Sequence, residues 1–178
     1  MTLSATQVQL RLCDIAYSQD SVGGKVHRPT AGGKFDMSSV TDEVKRLKEQ
    51  AKAVGDEEEA ARKFQKEFGT IGVGLVFGDG TGQVPNQWYS MDNRRLAIMK
   101  GALGGETSIV ANIATRQEML NMVGLNEGRD KQWGIFEELY GKGDGSELRE
   151  FMNGNRTKWS TKDGGETIRV RGQRPDKQ

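Results

Sequence analysis

The chain has 178 residues, of which 34% are apolar, 29% are charged and 24 are glycine; this suits one main domain with a real core, rich in loops, and excludes a disordered tract. Twenty-six basic residues against 25 acidic ones give a formal charge of +1, which excludes a globally basic protein drawn to nucleic acid by its net charge and leaves only a local patch for that role. The single cysteine, Cys13, forms no internal disulfide, and with the single histidine, His27, it makes no zinc cluster of those two residue types.

No apolar run of about 18 residues and no signal-peptide pattern occurs. The expectation is a cytoplasmic site of action without a membrane partner, any export signal lying outside this chain. In chain order, Val8 to Ile15 alternates apolar and polar residues and predicts a first strand, with Cys13 as a small core residue. The polar stretch Tyr17-Ser18-Gln19-Asp20-Ser21 follows, and then a glycine-rich run to Lys34 that reads as a long loop, a lid or binding loop. Ser38 or Ser39 caps a helix with Val40, Val44, Leu47 and Ala51 on one face; Gly55-Asp56 interrupts it, and a second helix carries Ala60, Phe64 and Phe68 before Gly69. Ile71 to Phe77 reads as a strand, Gly78 to Gly82 as a turn, and Gln87 to Ser90 as a strand pairing with the first as a hairpin. The glycines of Ile71 to Phe77 do not complete a dinucleotide fingerprint.

At Ser90-Met91-Asp92-Asn93 the strand gives way to a helix with Leu96, Met99 and Leu103 on one face. Asp92 or Asn93 is suited to cap its first turn. Arg94 and Arg95 stand in that same turn, where the positive helix end disfavours cations. An anion held by the helix amides and a guanidinium explains them, and phosphate is the common one; solvent or distant carboxylates as partners remain open.

Thr107 to Ile113 predicts another strand, and Thr115 with Glu118 a capping box that opens a helix with Met119, Leu120 and Val123. Asp130 to Tyr140 follows as a helix burying Trp133, Phe136 and Tyr140, and Ser146 to Met152 as a short last helix. Thr157 to Lys162 and Glu166 to Arg171 look like a β-hairpin about Gly164-Gly165. From Asn153 onward seven basic residues face three acidic ones, the one clear basic segment. Arg169 and Arg171 are its candidate nucleic-acid contacts and Trp159 a candidate base stacker, with a terminal cover for the core as the other reading. The pattern as a whole is α+β, a mixed sheet with flanking helices and a helical C-terminal part ending in a hairpin.

In this order the pieces resemble the ParB/sulfiredoxin superfamily, and within it the divergent ParB-like nuclease domains of polymorphic toxins. Asp14 to Ser21 resembles the family's polar box, Phe35-Asp36 its phenylalanine-aspartate pair, and Trp88 to Leu96, with the double arginine, its signature turn. The match covers roughly residues 8 to 113, so residues 1–113 are expected as the core and 114–178 as a helical extension with a basic hairpin packed on it. The resemblance implies phosphate binding by Ser21, Ser90, Asn93, Arg94 and Arg95, and catalysis by Asp20 or Asp92 as general base or metal-bound carboxylate with Gln19 positioning water or substrate. Magnesium or manganese and a nucleoside triphosphate are the cofactors it suggests; nucleic acid or a nucleotide and a neutralising immunity protein are the partners. Sulfinic acid reduction does not fit, because Asp92-Asn93 stands where that branch has its reactive cysteine. The leading reading is a nuclease-type effector enzyme; the alternatives are a nucleotide-binding switch or interaction module and a nucleotide-dependent small-molecule kinase.

Overall fold

The computed structural model describes residues 3–19, 21–78, 81, 85–123, 132–141, 145–154, 161 and 165–172. Strand β1 (Gln7–Arg11) stops at a single 3-10 turn, Leu12–Asp14, and β2 (Ile15–Ala16) then starts elsewhere in the sheet. One strand from Val8 to Ile15 was expected, and alternation alone does not see this break. Asp14 causes it: its carboxylate accepts from the Arg11 backbone N–H at 3.2 Å and from the Arg11 guanidinium at 3.0 and 2.9 Å. The turn buries Leu12 and leaves Cys13 exposed, so the expectation of a core cysteine is corrected.

The glycine-rich stretch is not a plain loop. β3 (Ser21–Val22) is followed by β4 (Lys25–Pro29) and β5 (Phe35–Ser39), an antiparallel hairpin in the register Lys25↔Ser39 to Pro29↔Phe35. Gly33, at φ 71°, supplies the left-handed turn conformation, so the glycines punctuate the strands without preventing them. Helices α1 (Val40–Val54) and α2 (Glu57–Phe68) then form where the apolar spacing predicted. The Ser39 hydroxyl accepts from Asp42 N–H at 3.0 Å and the Asp56 carboxylate from Glu58 and Glu59 N–H, satisfying amides that have no intrahelical partner.

β6 (Gly72–Val76) pairs antiparallel with β7 (Gln87–Ser90), as expected, and α3 (Asn93–Ala102) and β8 (Ser108–Ile113) follow. The five strands lie in the order β1-β8-β6-β7-β2 and form a mixed sheet. Alternate residues along a strand face opposite sides: Val73, Trp88 and Ile15 join the cluster under α1, α2 and α3, while Val76, Tyr89 and Ala16 join a second one. Met119 of α4 (Arg116–Val123), Phe136 of α5 (Gln132–Gly141), and Leu148 and Met152 of α6 (Gly145–Gly154) fill that second cluster. The architecture is therefore α+β, a mixed sheet between two layers of helices. Gly74 lets the Met119 side chain pack close to the sheet, since a Cβ there would stand 3.0 Å from the thioether.

The second arm of the expected C-terminal hairpin has a partner that the sequence pattern did not name. β9 (Arg169–Val170) lies parallel to β3, Ser21 opposite Arg169 and Val22 opposite Val170. Ile168 and Val170 pack on the main cluster, and this burial draws the segment to the core edge. Most of the first arm, with Trp159, and the side chains of Leu120, Val123 and Trp133 lie outside the described residues.

Candidate functional site: a cleft at the start of helix α3

β2 and β7 run parallel, Ile15 opposite Trp88 and Ala16 opposite Tyr89. The chain therefore leaves both strands at the same end of the sheet, and Tyr17-Ser18-Gln19 emerges beside Met91-Asp92-Asn93. Asn93 joins the two segments. Its Oδ1 accepts from Ser18 N–H at 2.9 Å, and its Nδ2 donates to the Ser18 hydroxyl at 2.9 Å and to Gln19 Oε1 at 3.3 Å. The Ser18 hydroxyl in turn donates to Ser90 O at 2.8 Å. Ser18, Ser90 and Asn93 are all buried, and buried polar groups need such partners.

Neither Asp92 nor Asn93 caps α3, contrary to expectation. The Asn93 amide is committed to Ser18, and Asp92, though it holds the N-cap position, accepts from Gly72 N–H at 2.9 Å through Oδ2 and from Arg95 through Oδ1. Among the described residues no side chain caps this helix, and its first-turn residues Asn93, Arg94 and Arg95 line the cleft where a helix start carries partial positive charge.

The two arginines differ. Arg95, about a quarter exposed, pairs with Asp92 and donates from Nη1 to Phe68 O at 3.1 Å, closing the carbonyl end of α2. Gly69 follows at φ 98°, a conformation that favours glycine, and a Cβ there would lie 2.7 Å from that Nη1 and displace it. Arg94 is exposed and makes one described bond, Nη1 to Lys25 O at 2.9 Å, which fastens β4 to the junction. Its other N–H groups meet no described acceptor, and the residue lines the cleft.

Gln19, Asp92, Asn93, Arg94 and Arg95 thus line one cleft of about 670 Å3, whose far wall is His27, Pro29 and Phe35 of the β4–β5 hairpin. Comparison with protein-family models, with curated proteins and with solved structures returns no match. The functional reading therefore rests on this geometry.

Of the other residues singled out in sequence, Ser90 lies buried beneath the cleft, and Ser21 sits in β3 beside Arg169, away from the cleft lining. Arg169 and Arg171 are exposed on that parallel pair. Asp20 lies outside the described residues. The described carboxylates of the cleft are Asp92, tied to Arg95 and Gly72, and Glu118, whose carboxylate shares the Thr115 hydroxyl in the capping box. Magnesium is ordinarily held by one or two carboxylates together with water or substrate phosphate; both Asp92 oxygens are engaged, which leaves Glu118 as the one described cleft carboxylate with an oxygen to spare. No three Asp, Glu, His or Cys side chains cluster as metal ligands among the described residues. No helix among the described residues is long and apolar enough to cross a membrane.

Sequence reasoning missed Ser18 as the partner of Asn93, and His27 and Phe35 as cleft wall. The signal for the wall was present: two runs of strand length, Lys25 to Pro29 and Phe35 to Ser39, flank the turn glycines Gly32 and Gly33.

Beside the cleft, the Tyr17 ring is buried under the Lys100 amine, which lies 4.9 Å from its centroid. Burial raises the Tyr17 phenol, so it stays protonated, and burial lowers the Lys100 amine from its usual value.

Proposed function

We propose that the cleft binds a phosphate group of a nucleotide or of a nucleic-acid strand, through the uncapped amides of α3 and the Arg94 guanidinium, with Gln19 beside it. The single observation that carries this reading is the commitment of Asn93 and Asp92 to other partners, which keeps the helix start open next to an arginine that helix stability does not call for. The chain is then a phosphate-handling domain of the ParB/sulfiredoxin kind, in keeping with the order of its motifs. Hydrolysis in a nuclease-type effector needs a base as well. Asp92 is neutralised by Arg95 and suits positioning better than proton transfer, so the base falls to Asp20, the sequence neighbour of Gln19.

The test is binding first and turnover second. Pyrophosphate, mononucleotides, single-stranded DNA and RNA are titrated against the wild type and Arg94→Ala, and the same substrates are assayed for cleavage with and without magnesium or manganese. Arg94→Ala is expected to weaken binding about tenfold, the loss of one charge-assisted hydrogen bond. Equal binding by both proteins, or competition by none of these phosphates, overturns the reading. Cleavage by the wild type that Asp20→Asn abolishes without loss of binding supports the effector assignment; binding without cleavage under every condition leaves a switch or interaction module.

A further inference from the structure

Phosphate accounts for only one side of the cleft. The β4–β5 hairpin also lines the cleft, and its Phe35 is 65% exposed. His27 meets the Phe35 ring in a T-shaped arrangement, with centroids 6.0 Å apart and planes at 78°, and a single such neighbour covers at most one face of the ring. The hairpin is fastened at three places: by Arg94 to Lys25 O, by Arg28 Nε to the Glu67 carboxylate at 3.2 Å, and by Val40 N–H to Gly24 O at 2.9 Å. The hairpin that carries the ring is thus tied to the body of the protein, and the amides of Gln19 and Asn121 in the same lining offer both donors and acceptors.

We propose that Phe35, braced by His27, is a stacking platform for an unpaired nucleobase, so that the cleft takes one nucleotide unit and rejects duplex. The proposal rests on the phosphate reading above and adds the base to it. The volume of about 670 Å3 lies within the range of small-molecule sites, about 300–1,000 Å3. A paired base inside a duplex presents no free face to a protein ring, whereas an unpaired one stacks on an aromatic side chain whatever its identity. A free nucleotide and a single strand supply the same chemistry, and affinity rising with oligonucleotide length from one unit separates the two sources.

The experiment compares wild type, Phe35→Ala and Phe35→Trp by anisotropy and competition, with four probes: ribose 5-phosphate, mononucleotides, a short single-stranded oligonucleotide and its duplex. Phe35 is exposed, so all three proteins should melt alike. Phe35→Ala is expected to weaken mononucleotide and single-strand binding about tenfold, in line with the stacking of one base. Ribose 5-phosphate should bind unchanged, Phe35→Trp should retain or tighten base binding, and duplex should bind more weakly than single strand throughout. Ribose 5-phosphate bound as tightly as a mononucleotide, an unaltered mononucleotide affinity in Phe35→Ala, or preference for duplex sinks the platform and leaves phosphate binding standing. Failure of all four probes to bind a normally melting wild type removes the phosphate reading, and this proposal with it.

Discussion

Asn93 is the residue on which the cleft depends, and its replacement should show in both stability and binding. Asn93→Ala strips Ser18 of its N–H acceptor inside a buried network, for which a penalty of about 1–3 kcal/mol is usual. A melting curve that is unchanged would contradict the network as described. Arg94 and Arg95, adjacent and identical in sequence, should separate in the same assay. Arg94→Ala, on an exposed side chain, should stay within about 0.5 kcal/mol of wild type, while Arg95→Ala, which frees Asp92 and the Phe68 carbonyl, should melt clearly lower. Lys100 carries a pH dependence. Its amine is lowered by burial, so the folded protein loses that proton at a lower pH than the unfolded chain. Below the folded value the cost of keeping the buried charge is present in full; between that value and the usual 10.5 the unfolded chain holds more protons, and stability rises with pH as the cost disappears. Lys100→Met should therefore raise the melting temperature at neutral pH, with the gain shrinking toward pH 10.5; a gain independent of pH would point to packing alone.

At the scale of elements, legibility followed periodicity. α1 and α2 were readable because Val40, Leu47, Ala51, Ala60 and Phe64 recur at helical spacing and are buried as that spacing requires. The β7–α3 junction was readable from its abrupt change of period, although its cap was not, since the choice of partner for Asp92 is made by Gly72, twenty positions away in the chain. The 3-10 turn at Leu12–Asp14 escaped because alternation continues through it, and β4–β5 escaped because glycine content outweighed the pairing signal on either side. The close approach of sheet and α4 is likewise written at one position. Gly74→Ala would press on Met119 and is expected to cost about 1–3 kcal/mol, read as a lower melting temperature. Phosphate binding should survive, because the phosphate is held at the start of α3, whereas Met119 belongs to the cluster on the other face of the sheet.

For the whole molecule, the C-terminal segment illustrates what local pattern leaves out: its alternation predicted a strand, but not the pairing with Ser21-Val22, which is far away in sequence. Gly165 O accepts from Tyr17 N–H at 2.9 Å and Arg171 N–H donates to Val22 O at 2.9 Å, so residues 165–172 cover the flank of the polar box. Ending the chain at Gly154 should lower the melting temperature by several degrees, whereas the double substitution Arg169→Ser and Arg171→Ser, both exposed, should leave it unchanged; if the truncated protein melts like the full chain, the cover is dispensable. The pairing of Gln19 with Asn93 has a consequence in time. The two residues are 74 positions apart, and the pairing of β2 with β7 that brings them together must close that loop first, so the clasp is expected to form late in folding. Interactions formed after the transition state act on the rate of unfolding and leave the rate of folding almost untouched. Loosening the Gln19–Asn93 clasp should shorten the lifetime of the folded protein while refolding after a denaturant jump proceeds at its former pace.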